Sequence, residues 1–491
     1  ELNVQLSMDV LIGEEVLVTG QMKGQISAIN QQLASDIIIN VVSEEKIQEL
    51  PDANAAETIG RLPGVSVTRS GGEANKITLR GLSDKYVNVT IDGVRIPSTD
   101  ALGRGIDLST VSQNSLAGIE LYKVLTADKD ADAIAGSVNL VTKKAPAERQ
   151  IKTTLKGGYN GLMGSAEQYD FSLKYGERFL EQLLGVQVNG NVERKIRSTE
   201  ISDIDYDQSG NNQTTYFINN FNLRFTDEIR KRNGLSLIFD YALPDDGSIM
   251  LNSNYNSTSR DYITFERDYP NGGGETQYLG GVTYQYRDRE QKLETFSSAL
   301  TGVNNIYGFN LTYGLSIAQS TGETPYDYQM DFSEPSDQNA KSGMRPAPQF
   351  KDKPEQLIGY AYNNFPAASL AGAFFSTQDN FEQNKSAFLN ILHNYVLGDA
   401  LAGEVKFGGK YVTKRRDNHQ TQNFSAYYLG GWQPYQRMAD GSITAKNFTG
   451  TDFEPFYNRF KANPLFINAP FTDFLNTPPN SRILFDIYSL N

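Results

Sequence analysis

Beyond Pro146 the chain repeats with a period of two, and that period limits what it can become. Phe309, Leu311, Tyr313, Leu315 and Ile317 alternate with Asn310, Thr312, Gly314, Ser316 and Ala318. Ile249, Leu251, Ser253 and Tyr255 alternate with Met250, Asn252, Asn254 and Asn256, and Tyr169, Phe171, Leu173 and Tyr175 alternate with Asp170, Ser172 and Lys174. In Leu235, Leu237, Phe239 and Tyr241 the opposite face is mixed and carries Asp240. A side-chain period of two belongs to strands. Water-soluble sandwiches give the same alternation, so the pattern needs the connections to interpret it.

Nine long strands are expected, at 151–158, 168–176, 184–197, 221–243, 248–260, 279–303, 308–320, 385–397 and 404–416. Joins two, four, six and eight are short: Glu177–Leu183, Pro244–Gly247, the Asn304-Asn305-Ile306-Tyr307 turn and Gly398–Gly403. Joins three, five and seven, at 198–220, 261–278 and 321–384, are long. Short turns on one rim and long loops on the other are the pattern of an outer-membrane β-barrel. Several strands exceed the roughly 9–11 residues that cross a bilayer. In the strand at 221–243 only Leu235–Leu243 has a membrane-like face; charged Thr226–Asn233 is expected to project above the membrane. An odd number of strands does not close a bacterial single-chain barrel. With some 75 loop-like residues after Val412, the chain is expected to be truncated at its C-terminal end.

Composition fits and excludes. The 27 Tyr and 26 Phe favour strands, and the 43 Gly favour turns. No apolar run approaches the roughly 20 residues of a membrane-spanning helix, which excludes a helical membrane protein but not a barrel. A net charge of −13 argues against nucleic-acid binding. Without cysteine there is no disulfide scaffold, thiol catalysis or thiolate zinc site. His393 and His419 are too far apart for a helix-borne zinc pair, and no G-x-S-x-G elbow occurs. Glu1 opens directly into strand-like sequence, so either a targeting segment has been removed or the chain is a fragment.

Before residue 145 the texture is that of a small α+β domain. Helices are expected at Ser43–Leu50, with Ser43 as N-cap, and at Asn54–Arg61, stopped by Leu62-Pro63-Gly64. Strands are expected at Val65–Arg69, Lys76–Arg80, Val87–Ile91, Gly118–Val124 and Ser137–Thr142. Asp92-Gly93 is a hairpin signal between two apolar runs. The fold class is therefore an α+β domain followed by an antiparallel, incomplete transmembrane β-barrel.

Six motifs stand in order within this first part. They are Glu15-Val16-Leu17-Val18-Thr19-Gly20; Asn54-Ala55-Ala56-Glu57-Thr58-Ile59-Gly60-Arg61-Leu62-Pro63-Gly64-Val65; Leu79-Arg80-Gly81; Val89-Thr90-Ile91-Asp92-Gly93-Val94-Arg95; Ile119-Glu120-Leu121-Tyr122-Lys123; and Ala135-Gly136-Ser137-Val138-Asn139-Leu140-Val141-Thr142-Lys143-Lys144. In this order and spacing they resemble the plug domain of TonB-dependent outer-membrane transporters, closely over 15–145 and by texture beyond; the resemblance implies a full barrel of about 22 strands. The resemblance implies an outer-membrane protein of a Gram-negative bacterium that is not an enzyme, needs no cofactor, sits among outer-membrane lipids and works with the periplasmic domain of TonB. Residues 1–13 look like the end of a carboxypeptidase-regulatory-like β-domain, 14–30 like a Ton box and linker, 31–145 like the plug, and 146–491 like the first part of the barrel.

The resemblance also suggests sites. Glu15, Val16, Leu17, Val18 and Thr19 form an alternating β-branched stretch that can add as an edge strand to TonB. Arg80, in the Leu-Arg-Gly strand, and Glu120 and Lys123 are expected to pair plug with barrel, since a buried Arg is tolerated only when paired. The sequence departs from the family here: Lys123 stands where Arg is usual, and Asp128-Lys129-Asp130-Ala131-Asp132 replaces Tyr-Gly. The polar loops Arg69–Asn75 and Pro97–Gly105 are expected to face outward, making Arg69, Glu73, Asn75, Asp100 and Arg104 the candidate substrate contacts. Asp203, Asp205 and Asp207 are spaced as in a calcium loop, but the Gly falls late and no bidentate Glu closes it.

Two functions from different classes compete. One is active import of a scarce or bulky nutrient of the oligosaccharide, siderophore or peptide class by plug rearrangement. The other is a non-transporting surface-complex or adhesion component on a plugged barrel; the plug argues against a passive porin. Leu82-Ser83-Asp84-Lys85-Tyr86 lacks the signature of partners of a SusD-like lipoprotein lid, so the stand-alone group, which includes carbohydrate transporters, is the closer likeness, with an accessory surface lipoprotein still possible. Tyr427, Tyr428, Trp432 and Tyr435 could stack on sugar rings.

Overall fold

Asn54 shows how local chemistry starts the first domain. Its Oδ1 accepts from the backbone N–H groups of Ala56 (2.9 Å) and Glu57 (3.2 Å), capping a helix at Ala55–Gly60. Its Nδ2 donates to the Ala74 carbonyl at 3.0 Å, tying that helix to a strand 20 residues on. The computed structural model describes residues 28–30, 32–33, 35, 38–49, 54–100, 103–111, 116–124, 133–142, 144–208, 216–243, 247–270, 282–333, 343–344, 361–362, 369–397, 401–424, 435–437, 443–445 and 449.

The first domain contains β1 (Ile39–Ser43), α1 (Glu44–Glu49), α2 (Ala55–Gly60), β2 (Val65–Ser70), β3 (Glu73–Leu79), β4 (Val87–Ile91), β5 (Val94–Arg95), β6 (Leu116–Tyr122) and β7 (Gly136–Thr142). Its sheet runs β1-β6-β7-β4-β5; β4 and β7 are parallel and the other pairs antiparallel. Hairpin β2–β3 stands apart from that sheet. Ile47, Ile59, Leu79, Leu108, Leu116, Ile119, Val138 and Leu140 share one buried core. Both expected helices and all five expected strands are present, with ends shifted by a few residues.

The second part is one antiparallel sheet. Its strands are β8 (Gln150–Asn160), β9 (Ser165–Phe179), β10 (Leu184–Ile196), β11 (Thr199–Gln208), β12 (Tyr216–Ala242), β13 (Ser248–Pro270), β14 (Thr283–Ile306) and β15 (Phe309–Ser333). After two short strands, β16 (Gly343–Met344) and β17 (Ala361–Tyr362), come β18 (Ser369–Leu397) and β19 (Leu401–Phe424), and then β20 (Tyr435–Arg437) and β21 (Ile443–Ala445). The path is β8-β9-β10-β12-β13-β14-β15-β18-β19, with β11 paired to β12, so among the described residues the sheet is an open arc with β8 and β19 at its edges. The nine expected strands are all there in order. The tenth, β11, lies in the third join, where Ser-Asp-Ile-Asp-Tyr-Asp has no continuous apolar face to announce a strand. The three aspartates of the calcium-like spacing lie along this strand rather than in a loop.

Several strands run further than expected: β15 continues to Ser333, and β18 begins at Ser369. The extra length of β15 keeps the alternation, with Tyr326, Tyr328, Met330 and Phe332 between Asp327, Gln329 and Asp331, whereas that of β18 loses it at Phe374-Phe375 and in the polar run 376–380 while the backbone ladder continues. The sixth join closes at Tyr307-Gly308, both at positive φ (52° and 80°), the backbone a tight hairpin turn needs.

The sheet is inside-out relative to a water-soluble one. Leu155, Phe171, Leu235, Phe239, Leu251, Tyr255, Leu300, Leu315 and Phe407 are exposed, while Asn252, Asn254, Thr258, Ser236 and Arg230 on the other face are buried. An apolar exterior and a polar interior packed on a second domain are what lipid outside and a filled lumen require. Within the seam the apolar content is small: Val94 packs with Ala299 and Ala318.

Candidate functional site

Along β12 the side chains of Glu228, Arg230 and Arg232 fall at alternate positions and so share a face. That face meets the tip of the β2–β3 hairpin. Glu73 opens β3 and is only 1% exposed. Arg230 Nη1 donates to its Oε2 at 2.7 Å, and Arg232 and Arg197 also hydrogen-bond to it. The network extends outward in the wall. Arg232 reaches Glu193 at 2.6 Å, Arg230 reaches Glu228 at 2.6 Å, and Arg260 reaches Glu228 at 2.9 Å and the Ser70 hydroxyl at 2.8 Å. Four guanidiniums thus surround three carboxylates, one of them from the hairpin. Gly71 sits in the left-handed region (φ 58°) where a Cβ would come within 2.8 Å of Glu228 and 2.9 Å of Arg230. Only glycine satisfies both backbone and space there.

Three further ties join the domain to the wall. Half-buried Asp92 accepts from the Thr142 N–H at 2.9 Å and its hydroxyl at 2.5 Å, and from Asn252 of β13. Burial pushes the Asp92 carboxyl above the usual carboxylate range; the nearby Glu120 charge adds to this, and the hydrogen bonds from Thr142 and Asn252 oppose it. Lys174 of β9 reaches Glu44 of α1 at 3.4 Å. The segment after β5 docks most extensively: Ser320 donates to the Ser98 carbonyl at 2.7 Å, and Arg416 donates to the carbonyls of Asp100 and, at 2.7 Å, Gly103.

These contacts reassign several expected sites. Glu73, expected in an outward-facing loop, lies buried against the wall because three wall guanidiniums converge on it. Arg69 makes a two-pronged pair with Glu57 of α2 (2.6 and 2.9 Å), which raises its pKa. Asn75 accepts from Thr68 at 3.0 Å across the hairpin. The Pro97–Gly105 segment does not stand free either: Pro97, Ser98 and Thr99 are buried. Asp100 takes Lys76 at 2.7 Å; burial acts to lower the Lys76 pKa, but the bond and charge of Asp100, helped by Asp84, raise it overall. Arg104 is exposed.

The residues expected to pair plug with barrel are placed within the first domain. Arg80, at positive φ (54°), is exposed and donates to the Lys123 carbonyl. Buried Glu120 accepts from Tyr122 at 2.7 Å and Asn139 at 3.0 Å. The bridging carboxylates are Glu73 and Glu44, and the bridging cations come from the wall. The signal for them lies in the alternate spacing of Glu228, Arg230 and Arg232 within charged Thr226–Asn233, the segment expected above the membrane, whose charged face turns inward onto the hairpin. Glu15–Thr19, residues 1–13, Tyr427, Tyr428 and Trp432 lie outside the described residues.

An inverted antiparallel sheet wrapped on an α+β domain and fastened to it by polar contacts defines a plugged outer-membrane β-barrel. Residues 31–137 match the family model of the TonB-dependent Receptor Plug Domain. The chain is 36% identical over 129 residues to the vitamin B12 transporter BtuB of Photobacterium profundum, covering 25% of this chain and 20% of that protein. It is 33% identical over 156 residues to the BtuB of Vibrio vulnificus, covering 31% and 24%. These matches span about a fifth to a quarter of those relatives' length. Among solved structures, the ferric enterobactin receptor PfeA of Pseudomonas aeruginosa aligns with TM-score 0.34 and 13% identity over 72% of this chain and 60% of that one. The ferric citrate transporter FecA aligns with TM-score 0.32 and 13% identity over 80% and 60%. The chain belongs to the TonB-dependent receptor family and is an outer-membrane protein of a Gram-negative bacterium.

Proposed function

We propose that the protein is an active importer: substrate binds from outside, TonB captures Glu15–Thr19, and force on that segment shifts the plug so that substrate passes through the barrel. The observation that carries this reading is the chemistry of the seam. Among the described residues the plug is held by discrete ion pairs and hydrogen bonds, with a small apolar cluster at Val94. Polar ties can be released one after another and re-formed with water, whereas a continuous hydrophobic seam exposes apolar area as it opens. Arg104 and Asn75 remain the candidates for touching substrate from the plug side.

Capture by strand addition needs free backbone N–H and C=O groups along one edge. Val16→Pro or Val18→Pro in the full-length receptor removes a donor and should abolish uptake while leaving equilibrium binding to whole cells intact. Val16→Ile should change little. Normal uptake by both proline variants would overturn the assignment.

A further inference from the structure

Between plug and wall lies a recess of about 290 Å³, on the short-turn side of the contacts made by Ser98, Asp100 and Gly103. The plug contributes Val94 and Arg95, and β15, β18 and β19 contribute their lumenal face. In register, Asn384 of β18 stands between Ala318 of β15 and Lys414 of β19, and Ala318 packs with Val94 of the plug. Both β15 and β19 rise from short joins, at Tyr307-Gly308 and after Leu397. Two residues beyond the recess on each strand, Ser320 donates to the Ser98 carbonyl and Arg416 to the carbonyls of Asp100 and Gly103. Those contacts therefore roof the recess on the side of the long loops.

Among the described residues the lining is cationic: it holds Arg95, Lys410 and Lys414 and no carboxylate. Lys410 and Lys414 fall at even spacing on β19 and so share its lumenal face. Glu382, two positions from Asn384 on β18, takes Lys414 at 2.8 Å and is approached by Arg416 at 3.8 Å. Asp92, near Arg95 in sequence, is bonded to Thr142 and Asn252 instead. Ser316 and Ser386 share a hydrogen bond at 2.6 Å, which leaves one hydroxyl proton to donate. Asn384 lines the recess and is only 7% exposed, yet among the described residues neither its Oδ1 nor its Nδ2 has a hydrogen-bond partner. A buried amide left unpaired is costly, and what enters the recess is placed to pair it.

Resting on the importer reading, we propose that this recess is an inner subsite for a phosphate monoester with a neighbouring hydroxyl, reached when the contacts of Ser98, Asp100 and Gly103 lift. Three cations without a carboxylate in the lining match a dianion better than a single carboxylate, which leaves more positive charge uncompensated. Lysine ammoniums bind phosphoryl oxygens as point charges, and the Arg95 guanidinium adds a planar donor pair. Asn384 Nδ2 donates to a phosphoryl oxygen, while its Oδ1 is an acceptor that an anion leaves unused and a hydroxyl on the adjoining carbon satisfies. The recess is at the small end of ligand-site volumes, about 300–1,000 Å³, as fits the phosphorylated end of a solute rather than a whole bulky one.

The test uses the full-length receptor in detergent, titrated by calorimetry with glycerol 3-phosphate, and with glycerate and glycerol as the carboxylate and neutral forms of the same polyol. Glycerol 3-phosphate should bind about tenfold or more tightly than glycerate, inorganic phosphate should compete with it, and glycerol should not bind. Lys410 is exposed, so Lys410→Gln should fold as the parent does and weaken glycerol 3-phosphate about tenfold or more, as loss of a charge-assisted hydrogen bond does. Asn384→Asp keeps the side-chain shape but sets a like charge against the ligand, and should weaken it at least as much. Ser320→Ala removes one roof contact without changing charge and should speed association about fivefold in phosphorus NMR line shapes. Equal affinity for glycerate overturns the phosphate assignment, and affinity unchanged in both Lys410→Gln and Asn384→Asp overturns the subsite. An unchanged rate in Ser320→Ala overturns the roof. Normal uptake by the Val16→Pro and Val18→Pro receptors overturns the importer reading without touching the binding result, whereas loss of uptake in those variants with no selective phosphate binding overturns the subsite alone.

Discussion

Glu73→Gln is the most informative single change in the seam. Glutamine keeps the shape and volume of the side chain and removes only its charge. In the native cluster four guanidiniums face three carboxylates; the variant leaves two carboxylates against the same four cations. Arg230 keeps Glu228 and Arg232 keeps Glu193, but Arg197 loses the carboxylate it pairs with directly and is left with the more distant charges of Glu228 and Glu57. Removing one member of a buried ion pair costs about 3–5 kcal/mol, because the remaining charge is left desolvated. At about 1.4 kcal/mol per tenfold, the opening equilibrium of the hairpin should rise roughly 150- to 4,000-fold, up to the limit of the hairpin's own native protection.

Amide hydrogen exchange followed by mass spectrometry reads that equilibrium directly when closing outpaces exchange. The peptide spanning Val65–Leu79 should exchange at least about a hundredfold faster, and the sheet β1-β6-β7-β4 much less so. Arg197→Gln in the same chain removes the orphaned cation and should recover part of the loss, a coupling of about 0.5–3 kcal/mol. Hairpin exchange within about threefold of the parent would show that the cluster is hydrated or internally compensated, and would refute the view that Glu73 latches the plug.

Three other outcomes follow from neighbouring features. Gly71→Ala should destabilise the docked plug more than Gly72→Ala: both are at positive φ, costing about 1–2 kcal/mol, but only at Gly71 does the new Cβ strike Glu228 and Arg230, and thermal melts of the two variants compare them. Asn54→Ala should cost about 1–2 kcal/mol for the lost cap and a further hydrogen bond to the Ala74 carbonyl, read as a lower denaturation midpoint of the plug. Because the folded Asp92 carboxyl is raised by burial, the folded plug holds its proton more tightly than the unfolded chain does. Its contribution should therefore be full below the ordinary value of 3.8 and be lost as pH rises through the raised value. Midpoints measured from pH 4 upward should fall accordingly, and the slope should flatten in Asp92→Asn; a parent midpoint that rises over that window contradicts the assignment.

How far the sequence could be read depended on whether a residue's role is local or set by a distant partner. Period two announced β9, β13 and the lower half of β15, because each strand carries its own two-faced environment. The hairpin turn at Asp92-Gly93 and the cap at Asn54 are equally local, since their hydrogen bonds lie within a few residues. The upper half of β18 and all of β11 are strands only because a neighbour supplies the ladder, and their polar residues carry no period to read. The candidate site failed in the same way. Glu73 looks like a polar loop residue until Arg230, 157 positions away, is brought beside it.

The reassignment of Glu73 also changes how the plug is understood to be held. A plug that carried the cations would depend on carboxylates scattered over the wall. Here the wall carries the guanidiniums, and they are fixed in place by wall carboxylates: Glu193 for Arg232, and Glu228 for Arg230 and Arg260. The receiving surface is therefore assembled within the sheet, and one hairpin carboxylate completes it. A preassembled socket loses little side-chain entropy when the hairpin docks, so Glu73 contributes its electrostatic free energy with a small ordering cost. The same geometry concentrates the latch in one residue at a tight glycine turn, where Ser70 and Gly71 already touch Arg260, Arg230 and Glu228. A pull that moves the hairpin tip by the length of one hydrogen bond breaks the whole set together, whereas the ties at Asp92 and at Asp100–Gly103 lie on other strands and release separately.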